Sequence, residues 1–255
     1  MTSNGYKSNV ARFNLGTSFE YLNDLYLGIQ TKNSLESLEV GSTASANQKK
    51  QAGDYFDSFL NFNFNYDKRN QKFETTDGYF SNYSVDIPII SESLTLVNSY
   101  RYKTFKELYE NNVSTFSFLI NASNSLNDKN VRLSERLFIS GQNLRGFESG
   151  KIGPKDGSDF IGGNFVAAIN LTTNLPKLTE NFQNLDLGLF LDAANIWGVD
   201  YDTTLENNSG IRSSIGVGLD LTTPIGPLTF SLATPITKED NDVTETFRFN
   251  IGTSF

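Results

Sequence analysis

Apolar and polar residues alternate one by one along most of this chain, which is the pattern of β-strands with two different faces. In residues 56–66, for example, Phe56, Phe62 and Tyr66 alternate with polar positions such as Asp57 and Asn61. Eleven segments of this kind are predicted as strands, near 8–21, 25–38, 55–68, 78–89, 94–106, 112–125, 160–175, 184–198, 211–223, 226–236 and 244–255. No helical pattern of useful length occurs, so the pattern predicts an all-β chain of long antiparallel strands.

Alternation alone does not show which face of the sheet is wet. In a soluble sandwich the apolar face packs on a second sheet, whereas in a transmembrane β-barrel it meets lipid. Two features favour the barrel: polar faces rich in Asn, Ser, Thr and Gly, and aromatic residues near strand ends, where interfacial girdles form. These aromatic residues are Phe13, Tyr21, Phe56, Tyr66, Trp197 and Phe255. We therefore predict an antiparallel transmembrane β-barrel, with the soluble sandwich as the alternative.

The predicted connections alternate between shorter and longer segments, as expected for a barrel with short inner turns and long outer loops. If Phe255 ends on the inner side, the inner turns are 22–24, 69–77, 107–111, 176–183 and 224–226. The outer loops are then 39–54, 90–93, 126–159, 199–210 and 237–243, of which 90–93 is too short for the trend. Single-chain bacterial barrels have an even number of strands. Eleven therefore indicates either a counting error or a chain that begins part-way round a barrel.

Composition excludes several classes of protein. The 255 residues include no Cys and no His, which removes thiolate sites, zinc sites with Cys or His ligands, and Ser-His catalysis. No enzyme activity, catalytic residue, metal or cofactor is predicted. The net charge of −8 argues against a nucleic-acid partner. No apolar run approaches the ~18 residues of a membrane helix, and the first residues, MTSNGYKSNVARF, do not form a signal peptide.

The segment NLRGFESGKIGPK, residues 143–155, lies in the longest stretch without a strand pattern. Its core is Leu144, Arg145, Gly146 and Phe147. It resembles the sixth extracellular loop of the bacterial surface antigen (BamA) superfamily of outer-membrane β-barrel assembly factors. Further blocks are similar to family strands in the same order: TTDGYFSNYSVDIPII at 75–90, GGN at 162–164, FLDAANIW at 190–197, the hairpin at 210–236 and FRFNIGTSF at 247–255. The first 70 residues match only in pattern.

The resemblance implies a fold and a function for the chain. The family barrel has sixteen strands and follows periplasmic POTRA domains, so residues 1–255 are expected to form the C-terminal part of the barrel domain, without POTRA domains or a signal peptide. The implied function is the folding and insertion of client β-barrel proteins in the bacterial outer membrane, without enzyme chemistry. The implied partners are client barrels, outer-membrane lipids, lipopolysaccharide and accessory assembly lipoproteins. The alternatives are a two-partner secretion type transporter of the same superfamily and a porin-like channel.

The resemblance also implies a clamp between the sixth loop and the inner wall. In the family, the loop arginine pairs with wall carboxylates, so Arg145 is expected to bind Asp192. Thr172 stands where a second acidic residue is common, and Ala194 stands where a glycine is common. Gly146 permits a tight turn, and Phe147 is expected to pack against the wall.

The final strand is expected to carry two roles in the family. Its alternating apolar residues form an insertion signal read by strand addition, and its weak pairing with the first strand forms a seam that opens towards lipid. The residues concerned are Phe247, Phe249, Ile251, Gly252 and Phe255. Lipid contact without a further role is the simpler alternative for the apolar ones.

Overall fold

The computed structural model describes residues 5–72, 74–109, 112–175, 184–202, 205, 210–223 and 226–251. Eleven long strands form one antiparallel sheet in which the strands are neighbours in chain order. They are β1 Tyr6–Leu22, β2 Leu25–Val40, β3 Gly53–Asp67, β4 Asp77–Ile90, β5 Thr95–Tyr109, β6 Asn112–Ser125, β9 Phe165–Asn174, β10 Leu185–Trp197, β11 Arg212–Thr223, β12 Gly226–Thr237 and β13 Phe247–Ile251. The prediction of an all-β chain with eleven antiparallel strands is confirmed.

Several short elements lie in the connections between the long strands. Strands β7 Lys155–Asp156 and β8 Asp159–Phe160 pair as a separate small hairpin. Helix α1 covers Ala46–Lys49, and one 3-10 turn covers Leu133–Glu135. Among the described residues, no helix has the length and apolar character needed to cross a membrane.

Two predicted strand boundaries are wrong. The strand expected at 160–175 begins at Phe165, because Phe160 pairs within the small hairpin and Gly163 forms a bridge with Leu137. The strand expected at 244–255 begins at Phe247, because the residues before it pair with the long loop. Gly252 and Phe255 lie outside the described residues.

The apolar face of the sheet is open. Phe13, Leu15 and Tyr21 on β1 are each more than 60% exposed. Apolar residues in the outer rows of other strands are also exposed, for example Phe56, Leu191 and Phe249 at 48%, 41% and 43%. In the described part of the chain, the second sheet is only the β7–β8 hairpin, so no sheet covers these rows as a soluble sandwich would require. An open apolar face is what contact with lipid requires.

The opposite face curves around residues 126–164, the connection between the neighbouring strands β6 and β9. At one end of the sheet, the Tyr6 hydroxyl of β1 donates to the Leu133 carbonyl at 3.2 Å. At the other end, Arg248 of β13 donates to the Phe147 carbonyl at 2.8 Å. The main buried cluster joins this segment to the strands of the concave face: Leu119, Ile139, Leu144, Phe147, Ile152, Val166, Ala168, Ala194 and Ile196. The core therefore lies between the sheet and its own loop.

The first and last strands stand at the two ends of the strand order, so the described residues form a curved sheet rather than a closed barrel. Neighbouring strands are antiparallel throughout, and β1 and β13 are the first and the eleventh. These two end strands therefore run in the same direction. Within the described residues the long strands number eleven, as predicted.

Candidate functional site

The side chain of Arg145 binds Asp192 through two parallel hydrogen bonds. Its Nε donates to Asp192 Oδ2 at 2.8 Å and its Nη2 to Oδ1 at 2.7 Å. The backbone N–H of Arg145 adds a third bond to Oδ2 at 3.0 Å. The Asp192 side chain is fully buried. A planar guanidinium on a buried carboxylate fixes orientation as well as contact, so this pair holds the loop against β10 in one pose.

Three wall residues complete the surroundings of this pair. The Arg145 guanidinium carbon lies 3.5 Å from the centroid of the Phe190 ring, within the range of a cation–π contact. Thr172 accepts a weaker bond from Arg145 Nη2 at 3.3 Å. Asn170 donates to Asp192 Oδ1 at 2.9 Å. The Thr172 hydroxyl therefore contacts the arginine, and the Asn170 amide contacts the aspartate.

The glycine after Arg145 is required by the tight approach of the loop to the wall. Gly146 has φ +88°, a conformation that residues with side chains rarely adopt. A Cβ on Gly146 would also lie 3.2 Å from the Cβ atoms of Ser214 and Ala233. The hydroxyl of Ser214 donates to the Arg145 carbonyl, which joins the loop to β11 as well as β10.

Phe147 and Leu144, the apolar residues of the motif, are each 1% exposed. They pack in the main cluster with Ala194 and Ile196 of β10. Ala194 itself is buried, so its methyl group contributes to the contact. Burial of one large side chain such as Phe147 contributes roughly 2–3 kcal/mol.

A second arginine of the same segment, Arg132, lies among three carboxylates on the same concave face, near strands β2 and β3. It forms ion pairs with Glu36 of β2, Asp57 of β3 and Glu135. The ring of Tyr55 lies 4.1 Å from the guanidinium carbon. Burial lowers the pKa of Arg132, but Glu135, Asp57 and Glu36 outweigh it, so the pKa is raised above its usual value and the side chain stays charged.

A third arginine, Arg136, joins the segment to the connection after β10. It pairs with Asp200 and donates to the Asn164 side-chain oxygen at 2.9 Å. Nearby, Tyr201 donates to Asp156 at 2.8 Å. Burial and this hydrogen bond raise the pKa of the Tyr201 phenol far above its usual value, so Tyr201 acts as a donor at any ordinary pH.

The sequence reading missed Arg132 and Arg136 as site residues. Both lie in VRLSERLF, residues 131–138, where Val131 and Leu133 are completely buried. The signal that could have revealed them is the mixture of arginine and aliphatic residues in a predicted loop. A loop that is fully exposed to solvent rarely contains several aliphatic residues, so this mixture indicates that the segment packs against the protein. Within the described residues, no group of three or more acidic side chains is arranged to hold a metal ion.

The described part of the predicted terminal signal lies on β13. Phe247, Phe249 and Ile251 point outward and are exposed, while Arg248 between them points to the concave side. Gly252 and Phe255 of the same prediction fall beyond the described residues. The structure therefore brings together Leu144 to Phe147, Thr172 and Asp192, and places the terminal strand at the end of the sheet.

An amphipathic antiparallel sheet whose concave side is occupied by its own loop, held by Arg145 on Asp192, is the arrangement expected of a part of an outer-membrane β-barrel. The chain belongs to the Omp85 superfamily, whose domain model matches residues 1–255. The relationship predicted from the loop motif is thereby confirmed.

Individual relatives agree with this assignment. The chain is 24% identical over 245 residues to the outer membrane protein assembly factor BamA of Neorickettsia risticii, a match that covers 93% of this chain and 33% of the relative. It is 26% identical over 225 residues to the sorting assembly machinery 50 kDa subunit of Saccharomyces cerevisiae, covering 83% of this chain and 46% of the relative. The crystal structure of BamA from Haemophilus ducreyi lacking POTRA domains 1–3 superposes with a TM-score of 0.81 at 24% identity, covering 96% of this chain and 53% of that one. The chain thus spans less than half the length of both curated relatives.

Proposed function

We propose that this chain is the C-terminal part of the barrel of an outer-membrane assembly factor, which folds and inserts client β-barrel proteins into the bacterial outer membrane. The observation that carries the proposal is the match along 93% of the chain to a relative named as such a factor. No covalent chemistry, metal or cofactor enters the proposal.

The physical task of such a factor is to offer backbone partners to a client strand before that strand meets hydrocarbon. In lipid, each unsatisfied backbone group costs several kcal/mol, so a client is drawn to an unpaired strand edge. The end strands β1 and β13 are the edges of the described sheet. In this proposal client strands pair at an edge and lipids contact the exposed apolar rows. Lipopolysaccharide and accessory lipoproteins are further proposed partners.

The directions of the end strands support a larger barrel with an even number of strands, and the proposed sixteen meets this condition. Since β1 and β13 run in the same direction, they cannot pair with each other in the antiparallel way used by the rest of the sheet. Antiparallel closure needs an odd number of additional strands between them. Sixteen minus the eleven observed leaves five, which is odd. This agrees with the proposal that the chain supplies the last eleven strands.

Two other functions fit the observations less well. A porin-like channel needs an open lumen, whereas residues 126–164 fill the concave side of this sheet and bury Phe147 and Leu133 there. A secretion transporter of the same superfamily shares the loop motif, so the clamp does not distinguish it. The assembly role is favoured because both relatives described above carry names of assembly machinery.

Reconstitution tests the assembly role directly. The protein is placed in lipid vesicles, an unfolded eight-stranded barrel is added as client, and client folding is followed by its heat-modifiable mobility in gels. Client folding is expected to be severalfold faster than in empty vesicles or in vesicles with the heat-denatured protein. Equal rates would refute the assembly role, and a steady ion conductance through the same vesicles would favour the porin.

Deletion of Phe255 is expected to reduce insertion of the protein itself into membranes severalfold, because a terminal aromatic residue is the proposed signal for strand addition. Phe255→Tyr keeps an aromatic ring and is expected to insert normally, which makes it the matched control. The measurement is the heat-modifiable fraction in purified outer membranes. If the deleted chain inserts as efficiently as the unaltered one, the terminal strand has only a structural role.

A further inference from the structure

Part of the long loop continues the sheet beyond β13. Phe147 forms an antiparallel bridge with Thr244, three residues before β13 begins. The Glu245 N–H donates to the Gly146 carbonyl at 3.0 Å, and the Glu148 N–H donates to the Val243 carbonyl at 2.9 Å. A third bond runs from the Val243 N–H to the Lys151 carbonyl at 3.1 Å. Residues 146–151 therefore pair with residues 243–245 through their backbones.

The direction of the backbone groups shows which edge the loop occupies. The Ala233 N–H of β12 donates to the Thr246 carbonyl at 2.9 Å, so Thr246 faces β12. Successive residues of a strand point their backbone groups to opposite sides. Val243 and Glu245 therefore face away from β12, as do Phe247, Phe249 and Ile251 further along. The loop lies on the same edge that these last three residues leave open.

Side chains fix the loop in this place. Arg248 donates from Nη2 to the Phe147 carbonyl at 2.8 Å and forms an ion pair with Glu245. A Cβ on Gly141, which belongs to the same connection between β6 and β9, would overlap the Arg248 guanidinium, so only glycine leaves room for this arginine pose. On the other side, buried Asp242 accepts two bonds from Arg212, which holds the segment before β13 against β11.

We infer that residues 146–151 are a strand stop: they occupy the edge of the sheet at 243–245, so an antiparallel client strand that enters at the open seam of the proposed barrel pairs only with the edge at 247–251. That strand ends where it meets Gly146. This inference rests on the proposed function and adds to it the register at which a client strand binds. Gly141, Glu245 and Arg248 are positioning residues of the stop.

The chemistry of the open edge defines the incoming strand. The side chains of Phe247, Phe249 and Ile251 point outward and are 53%, 43% and 66% exposed, so a partner in the same plane presents apolar residues at every second position. The loop itself pairs antiparallel on this edge, and a partner in line with it runs the same way. The partner is therefore an amphipathic strand with its C-terminal end towards the loop.

Cysteine cross-linking tests the stop, because the chain has no cysteine of its own. Single cysteines replace Val243 or Phe247 in the full chain. The probe is a synthetic peptide of residues 245–254, ETFRFNIGTS, with one cysteine added at its C-terminus. The peptide is expected to form a disulfide with Phe247→Cys and to form severalfold less with Val243→Cys. Equal cross-linking at both positions overturns the stop, and so does cross-linking at 243 alone.

Substitutions that weaken the attachment of residues 146–151 are expected to let the peptide pair beyond Phe247. In the Gly141→Ala or Arg248→Gln background, cross-linking at Val243→Cys should rise severalfold, whereas Lys238→Gln, which removes an exposed positive charge nearby in sequence, should leave it unchanged. A Glu148→Cys, Val243→Cys pair should join by a disulfide in the otherwise unaltered chain, which tests the loop position even if the other variants fold poorly. Failure of this disulfide refutes the pairing.

Client insertion measured on the same variants separates the two proposals. If insertion is absent in the unaltered protein but the cross-links follow the expected order, the strand stop stands and the assembly function fails. If insertion proceeds and the peptide reaches position 243 in the unaltered protein, only the strand stop fails.

Discussion

Replacing Arg145 with alanine is expected to lower the free energy of unfolding by about 3–5 kcal/mol, the usual cost of leaving a buried charge without its partner. Asp192 has no solvent exposure and would keep only the amide of Asn170 as a side-chain donor among the contacts described above. The loop would also lose its contact with Phe190. The measurement is a urea titration in lipid vesicles, read by heat-modifiable mobility, followed by client insertion.

Two variants control for trivial causes. Arg12→Ala removes an exposed arginine of β1 and should leave the midpoint of unfolding unchanged. Arg145→Lys keeps the charge but loses the two parallel bonds, so it should fall between alanine and the unaltered protein. Should the Arg145→Ala protein unfold at the same urea concentration as the unaltered one and insert clients equally well, the clamp has no role.

Arg132→Ala is expected to destabilise the protein by a similar amount, about 3–5 kcal/mol, since it strands Glu36 and Asp57 in buried positions. The part of residues 126–164 around Arg132 would then lose its ion pairs with β2 and β3. Besides the urea midpoint, limited proteolysis should show faster cleavage between residues 126 and 164 than in the unaltered protein.

A double-mutant cycle with Asp57→Asn separates the ion pair from general damage. Groups in direct contact are coupled, so the two substitutions together should cost less than the sum of each alone. Additive effects would mean that Arg132 and Asp57 contribute independently, and the proposed attachment to β3 would be wrong.

Period-two alternation was sufficient to predict the strands, because one face of this sheet stays apolar along its whole length. It could not predict where β9 and β13 begin. Both boundaries are set by pairing with the long loop, Gly163 with Leu137 and Thr244 with Phe147. Such pairing joins residues far apart in sequence and leaves no local pattern.

The candidate site was also predicted only in part. Arg145 and Asp192 are 47 residues apart, and their pairing was expected from the family resemblance, since alternation says nothing about what a loop contacts. Arg132 has no counterpart in the motif and was missed. Its burial depends on the whole segment folding back between β2, β3 and the far wall, which is a property of the assembled sheet.

The attachment of both end strands to one segment sets a mechanical limit on the sheet. Tyr6 of β1 holds Leu133, and Arg248 of β13 holds Phe147. The fourteen peptide steps between these two anchors reach at most about 50 Å when fully stretched. If β1 and β13 move apart by more than this length, one of the two hydrogen bonds must break first. Residues 133–147 therefore limit the separation of the two end strands.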